Sequence, residues 1–249
     1  MIEFFAKDWK GAPFQLFGTA HLIGLALVAI AIILVIGGGR RGNARTRRAL
    51  RFGLATVLVV NETLWHLWNW YIGEWTIQTM LPLHMCSLMV WLCAYMLVKR
   101  DYRLYEFIYF LGIGVAAQAL ITPDAGKYGF PHFRFFQVLV SHGAIVGSAI
   151  YMTLVEGNRP RWSSLLKVGI GANVYMLFVG CVNWLIGSNY MFIARKPDTA
   201  SLMDMMPPWP WYILVIEGIG LIAIVLLYLP FAVYDWRNKQ PTLQQVAAE

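Results

Sequence analysis

Apolar residues run through this chain in long stretches, which short polar or charged segments separate. Seven of these stretches are close to the roughly 20 residues that a helix needs to cross ~30 Å of hydrocarbon. The predicted spans are Phe14–Gly37, Ala49–Ile72, Met80–Val98, Leu104–Ile121, Phe136–Val155, Leu165–Ile186 and Trp211–Val233. No internal repeat or linker is evident, so the pattern predicts one all-α domain, a polytopic membrane helical bundle that covers residues 1–249.

Lysine and arginine are divided unequally between the two sets of connecting segments. If the chain crosses the membrane seven times, fourteen basic residues fall on the side that holds the C-terminus and six on the other side. Because cytoplasmic loops are enriched in these residues, the N-terminus is predicted to lie outside and the C-terminus inside. We therefore expect a multi-pass protein of the cell membrane.

The composition agrees with this prediction. The chain is 59% hydrophobic and 13% charged, whereas soluble domains carry about 25% charged residues. The net charge of +7 lies in short loops, so membrane topology explains it and no nucleic-acid partner is expected. Cys86, Cys93 and Cys181 lie in apolar runs without metal-site spacing. We expect no metal and no cofactor, and nothing implies an obligate protein partner.

One connection differs from the others. Residues 187–210 mix charged side chains with methionines and prolines, and the segment is long for a connection in a compact bundle. We expect it to form a half-buried lid over the outer mouth of the bundle, although a plain interfacial loop is the alternative. Arg195 and Lys196 in this segment are candidates to contact lipid phosphate.

Polar side chains inside the predicted spans are the main functional signal, because a charge there costs at least ~2.5–3.5 kcal/mol on insertion scales. Glu62, His66 and Asn69 follow one another at i, i+4 and i+7, so they share one helical face that should point inward. Two interpretations stay open. The residues form either a hydrogen-bond network between helices or the wall of a binding site.

The third span begins with Pro82, which suits the first turn of a helix because no backbone N–H is needed there. His84 follows near the N-terminal end of that helix, where the helix dipole disfavours an imidazolium, so a neutral histidine is a candidate general base. Cys86 would point away from His84 on a regular helix, whereas Ser87 would share its face. Both are candidate nucleophiles.

Further polar residues fall in the later spans. Arg134, one of the six basic residues of the outer side, lies on one stripe with Gln137 and Ser141 at i, i+3 and i+7, and His142 lies about 100° round from Ser141. Asn183 lies in the sixth span and is, with Gln137 and Asn69, a candidate to stabilise an oxyanion. Glu217 in the seventh span is the best candidate to balance a buried cation. Hydrogen bonding between helices is the alternative for each of them.

Two stretches resemble a known family. WNWYIGEWTIQTMLPLHMCSL (Trp68–Leu88) and SNYMFIARKPDTASLMDMMPPWPWYI (Ser188–Ile213) are similar to the signature stretches of the YwaF-like bacterial integral membrane proteins. That family is more distantly similar to eukaryotic multi-span acyltransferases of ether phospholipids and to androgen-induced membrane lipid hydrolases. The resemblance implies a bacterial plasma-membrane protein and a nucleophile paired with a histidine, for which His142 corresponds to the family histidine. The nucleophile's place in the Pro-Cys-His run falls on Leu83, which has no nucleophilic atom.

Three functional hypotheses follow. The first is a lipid hydrolase or acyltransferase in which His84 and His142 handle protons and Cys86 or Ser87 is the nucleophile, with membrane lipids as partners. The second is a transporter, or a bundle that binds a small solute or lipid without catalysis. The third is a structural or assembly factor for envelope proteins.

Overall fold

The computed structural model describes residues 3–197 and 202–239 of the 249-residue chain, and these residues contain helices and no β-strand. The seven main helices are α1 (Thr19–Arg41), α2 (Ala44–Tyr71), α3 (Met85–Lys99), α4 (Tyr102–Ile121), α5 (Phe133–Leu154), α6 (Trp162–Ile186) and α7 (Trp211–Lys239). The all-α prediction is confirmed for this part of the chain. Residues 198–201 of the predicted lid, and the last part of the tail, 240–249, lie outside the described residues.

The helix bounds differ from the predicted spans by a few residues, and the start of α3 is the main correction. The third span was predicted from Met80, but residues 80–84 form turns and the helix begins at Met85. Proline lacks an N–H and disfavours helical geometry in the residue before it, so Pro82 lies ahead of the helix and not in its first turn. His84 is therefore the N-cap residue of α3.

Five helices are long and apolar enough to cross a membrane, namely α1, α4, α5, α6 and α7. The other two fall short because α2 carries arginines at one end and polar residues at the other, and because α3 has only 15 residues. In the most apolar parts of α1, α6 and α7, only 11%, 11% and 17% of the residues are buried. Such extended apolar surfaces are typical of helices that face lipid, so this is a multi-pass membrane protein.

Helix α5 lies at the centre of the bundle, with 78% of its apolar window buried, and it packs against α1, α2, α3 and α4. Glycines bring α1 and α5 close together. A Cβ atom added at Gly143 would lie 2.7 Å from Val28, and one added at Gly147 would lie 3.2 Å from Ile32. This small-xxx-small spacing lets two membrane helices approach closely, where dispersion forces between them are strongest.

The two ends of the bundle differ in chemistry. At the basic end, which holds most lysines and arginines, Glu156 forms ion pairs with Arg51 at 3.2 Å and Arg100 at 2.9 Å. The opposite, loop end is formed by the N-terminal segment (residues 3–18) and by residues 72–84, 122–132, 187–197 and 202–210. Successive helices alternate between these ends, and the polar residues of α2 lie toward the loop end.

Candidate functional site

The centre of the polar cluster is Glu62 on α2, whose side chain is buried, with 2% of the residue exposed. Its Oε1 atom has no hydrogen-bond partner among the described residues. Ser87 of α3 lies within interaction distance of the same carboxyl group, and the Cys86 thiol is electrostatically coupled to it. An acidic group that is buried without full pairing is costly, which makes it a candidate for a functional role.

Arg134 supplies positive charge to this cluster from the first turn of α5. Its guanidinium lies over the Trp65 ring at 4.0 Å and donates hydrogen bonds to the Gln137 side chain and, at 3.1 Å, to the Asp124 carbonyl. It interacts electrostatically with Glu62 without forming an ion pair with it. Sequence reasoning counted Arg134 among the loop charges, and only its stripe with Gln137 pointed to the site.

His66 connects Glu62 to the surface. Its Nδ1 atom accepts a hydrogen bond from the Trp75 indole N–H at 3.1 Å, so a neutral imidazole carries its proton on Nε2. Nε2 lies 3.7 Å from the unpaired Oε1 of Glu62, and the His66 side chain is 26% exposed. The imidazole therefore lies between the buried carboxyl group and the half-exposed edge of the cluster, without a hydrogen bond to Glu62.

His142 lies one helical turn below the first polar residues of α5. Its Nδ1–H donates to the Val138 carbonyl at 2.8 Å, which leaves Nε2 as the lone-pair acceptor, and no described residue hydrogen-bonds to it. Its neighbour Ser141 is buried. This tautomer is the one that a general base requires.

His84 belongs to a different contact. Its Nδ1 atom accepts the backbone N–H of Met191 at 3.3 Å, and its ring lies 5.2 Å from that of Tyr190 and 5.3 Å from that of Phe192. In the part of the chain that the structure describes, no hydrogen bond, ion pair or ring contact joins His84 to His142. The pairing of these two imidazoles stays a prediction.

The remaining sequence candidates are used in structural contacts. The Asn69 amide donates to the Trp65 carbonyl at 2.8 Å, and Asn183 binds the backbone of residue 190. Lys196 donates to the Met206 carbonyl at 2.8 Å, within its own loop, whereas the Arg195 side chain is exposed. Glu217 is half-buried, with no ion pair to a described cation.

The segment after α6 covers the start of α3. Tyr190 is fully buried, its hydroxyl donates to the Ile77 carbonyl at 2.6 Å, and it accepts the Leu81 N–H at 2.8 Å. The Tyr212 hydroxyl donates to the Phe192 carbonyl, which ties the same segment to α7. Residues 187–197 are thus packed on the connection between α2 and α3.

Among the described residues, no group of three or more His, Cys, Asp or Glu side chains is arranged to hold a metal ion. A pocket of about 670 Å³ between the start of α4, the α5–α6 connection and α7, and a groove of about 680 Å³ along α6, lie away from the polar cluster. The cluster itself joins a carboxyl group, a hydroxyl, a thiol, a guanidinium and two imidazoles from α2, α3 and α5. Those groups are suited to proton transfer and to nucleophilic attack on an ester.

Comparison with known proteins gives one match. No curated protein and no solved structure matches the chain. The model of the TMEM164 family matches residues 16–228, which include helices α1 to α6, most of α7 and every residue of the polar cluster. The chain belongs to the TMEM164 family.

Proposed function

We propose that this membrane protein acts on lipid esters, as a hydrolase or an acyltransferase, at the polar cluster between α2, α3 and α5. The observation that carries the proposal is the buried Glu62 carboxyl group, which has one unpaired oxygen and lies beside the Ser87 hydroxyl. A purely structural carboxylate in such a place would be expected to have a cation or full hydrogen bonding. The similarity to YwaF-like proteins and to ether-phospholipid acyltransferases is in line with this reading.

Ser87 is the nucleophile that this geometry favours. Its Oγ atom attacks the ester carbonyl carbon while Glu62 takes the hydroxyl proton, so a C–O bond forms and the carbonyl electrons move to an oxyanion. Collapse of this intermediate breaks the ester bond, and the departing lipid oxygen takes a proton from Glu62. The acyl group on Ser87 then passes to water in a hydrolase, or to a second lipid hydroxyl in an acyltransferase.

The start of α3 offers the oxyanion its donors. His84 forms no side-chain cap, and no described residue accepts the backbone N–H groups of Met85, Cys86 and Ser87. Free N–H groups at a helix N-terminus stabilise negative charge, and Arg134 adds a positive charge to the same cluster. His142, with its free Nε2, is the candidate base for the second half of the reaction.

We further propose that the site opens to the outer leaflet of a bacterial plasma membrane, with the N-terminus outside. The excess of lysine and arginine at the basic end supports this orientation, because it places that end in the cytoplasm. The described parts of this connection, residues 187–197 and 202–210, then lie on the outside as a lid, and the exposed Arg195 is our candidate to bind lipid phosphate.

The test is an acyl-transfer assay on the purified full chain in detergent, with phospholipids that carry one isotope-labelled acyl chain, with and without a lysophospholipid acceptor. We expect Ser87→Ala and Glu62→Gln to lower release or transfer of label by about 10²-fold or more. Thr63→Ala, at an exposed threonine that follows Glu62 on α2, is the matched control and should keep full activity. Peptide mass spectrometry of the quenched reaction should find the labelled acyl group on Ser87.

Other outcomes reassign the chemistry. Loss of activity in Cys86→Ala, with full activity in Ser87→Ala, would make the thiol the nucleophile. If wild type and all the variants fold and none of them alters any lipid, the enzyme proposal fails, and a transporter or a non-catalytic binding bundle becomes the better account. Lipid profiles of cells that carry His84→Ala or His142→Ala test the predicted roles of the histidines in the same way.

A further inference from the structure

A separate pocket of about 670 Å³ lies at the basic end, away from the proposed catalytic cluster. It is formed where the start of α4, the connection between α5 and α6, and the last turns of α7 meet. Tyr102, Trp162 and Tyr228 form its aromatic walls, with the Trp162 and Tyr228 rings 5.4 Å apart. Aromatic rings of this kind are enriched at the level of lipid headgroups.

The polar wall of the pocket contains the Arg161 guanidinium, which is exposed and interacts with the Tyr102 hydroxyl. The Arg161 guanidinium lies 5.5 Å from the Tyr102 ring centre, and no described carboxylate forms an ion pair with it. Nearby Arg159 differs, since it is paired with Asp235 and also donates to a backbone carbonyl at 3.1 Å. The Asn158 Nδ2 atom is buried without a hydrogen-bond partner in the described residues. A bound anion would give the Arg161 guanidinium a negative partner, which the described residues do not supply.

An apolar groove continues from this pocket. It has a volume of about 680 Å³, shares Trp162 with the pocket, and runs along α6 past Leu166, Ile170 and Val174 against α7. Leu166 and Val174 are 68% and 62% exposed, and a Cβ atom added at Gly169 would meet no atom within 4 Å. The groove is therefore open toward the space that lipid tails occupy.

We propose that the pocket and the groove together bind one anionic phospholipid in the leaflet at the basic end. Its phosphate lies against Arg161, and one acyl chain follows the groove between α6 and α7. Basic pockets between membrane helices recognise anionic headgroups in this way. A free phosphate ion would use the pocket but not the groove, so the apolar continuation decides in favour of the lipid.

The proposal is tested with the purified full chain in detergent, by native mass spectrometry during titration with dioleoylphosphatidylglycerol, dioleoylphosphatidylcholine or inorganic phosphate. We expect phosphatidylglycerol to bind more tightly than phosphatidylcholine, and Arg161→Gln to weaken phosphatidylglycerol binding about fivefold and to abolish the preference. Gly169→Leu fills the groove and should weaken both lipids while leaving the preference intact. Arg45→Gln, at an exposed arginine of the same end, is the control and should change nothing.

The outcomes that overturn the proposal are separate from those of the acyl-transfer assay. Equal effects of Arg161→Gln and Arg45→Gln would show that only the general positive charge of this end matters. If Gly169→Leu binds both lipids as tightly as wild type, the groove is not part of the site. If inorganic phosphate competes fully with phosphatidylglycerol at equal concentration, the pocket is a phosphate site and not a lipid site. Size-exclusion profiles identical to wild type establish that each variant is folded.

Discussion

Replacement of Asn183 by alanine should release the segment that covers the start of α3. The Asn183 amide donates to the Tyr190 carbonyl at 2.9 Å, and its carbonyl accepts the Tyr190 N–H at 2.8 Å and the Ser188 hydroxyl at 2.6 Å. All three bonds are buried, and they fix the turn that follows α6. No other described group bonds to the Tyr190 N–H or C=O.

The expected loss of local stability can be estimated from the backbone groups that Asn183→Ala leaves without hydrogen-bond partners. Two backbone groups of Tyr190 would stay buried and unpaired, at about 1–3 kcal/mol each. Releasing the segment instead exposes the Tyr190 side chain, which is fully buried in the native state and contributes about 1.5–3 kcal/mol by its burial. In Asn183→Ala, leaving the Tyr190 backbone groups unpaired costs about as much free energy as releasing the segment and exposing the Tyr190 side chain. The released form of the segment therefore becomes much more populated, while the rest of the bundle stays folded. A change of about 3 kcal/mol corresponds to roughly a 10²-fold loss of local protection.

Hydrogen exchange by mass spectrometry on peptides that cover residues 188–194 measures this directly. Asn173→Ala on the same helix is the control, because the Asn173 amide is exposed and bonds only to the Gly169 carbonyl of its own helix at 3.1 Å. We expect faster exchange of residues 188–194 in Asn183→Ala and wild-type exchange in Asn173→Ala. Unchanged protection of Tyr190 in the first variant, or equal loss throughout α1 to α7, would refute the reasoning.

Three further predictions concern stability. Gly143→Ile should separate α1 from α5 because even a Cβ atom there meets Val28 at 2.7 Å, and its melting temperature should fall, whereas Gly218→Ala, with open space around it, should be neutral or stabilising. Glu156→Gln leaves a buried guanidinium unpaired and should cost about 3 kcal/mol in denaturant unfolding. Burial lowers the pKa of His132 below its ordinary value of about 6.5, and its neutral Nδ1 accepts the Arg134 N–H at 3.0 Å. Because the unfolded chain binds this proton at higher pH than the folded chain, the melting temperature should fall as pH is lowered from 7 to 5, and less so in His132→Gln.

The sequence was most informative about the fold class, because composition alone determines it here. Long apolar runs predicted an all-helical membrane protein, and this holds because apolar length and the need for internal backbone hydrogen bonds leave few alternatives. The start of α3 was predicted wrongly, because hydropathy continues through Pro82 although the backbone geometry does not. Periodicity did identify the inward face of α2, since Glu62 is buried and contacts His66.

The periodicity of apolar residues did not predict which distant segments of the chain contact one another. Arg134 approaches Glu62 from a helix 72 positions later in the chain, and no local pattern encodes that approach. Asn183 was assigned to the polar interior by its position in an apolar run, but its amide is used to bind a loop backbone. An apolar context indicates that a polar group needs a partner, whereas the partner is chosen by tertiary packing.

The buried carboxyl groups of this protein separate structural from functional roles. Glu156 has two arginines within 3.2 Å, and Glu106 has Lys167 at 3.1 Å and the Ser164 hydroxyl. Both are therefore paired as a stable buried charge requires. Glu62 is equally buried, yet its Oε1 lies 3.7 Å from the His66 Nε2 atom and has no hydrogen-bond partner among the described residues. Because the described residues give Glu156 and Glu106 cationic partners within 3.2 Å and give Glu62 none, the incomplete pairing of Glu62 supports the proposal that a substrate completes its interactions.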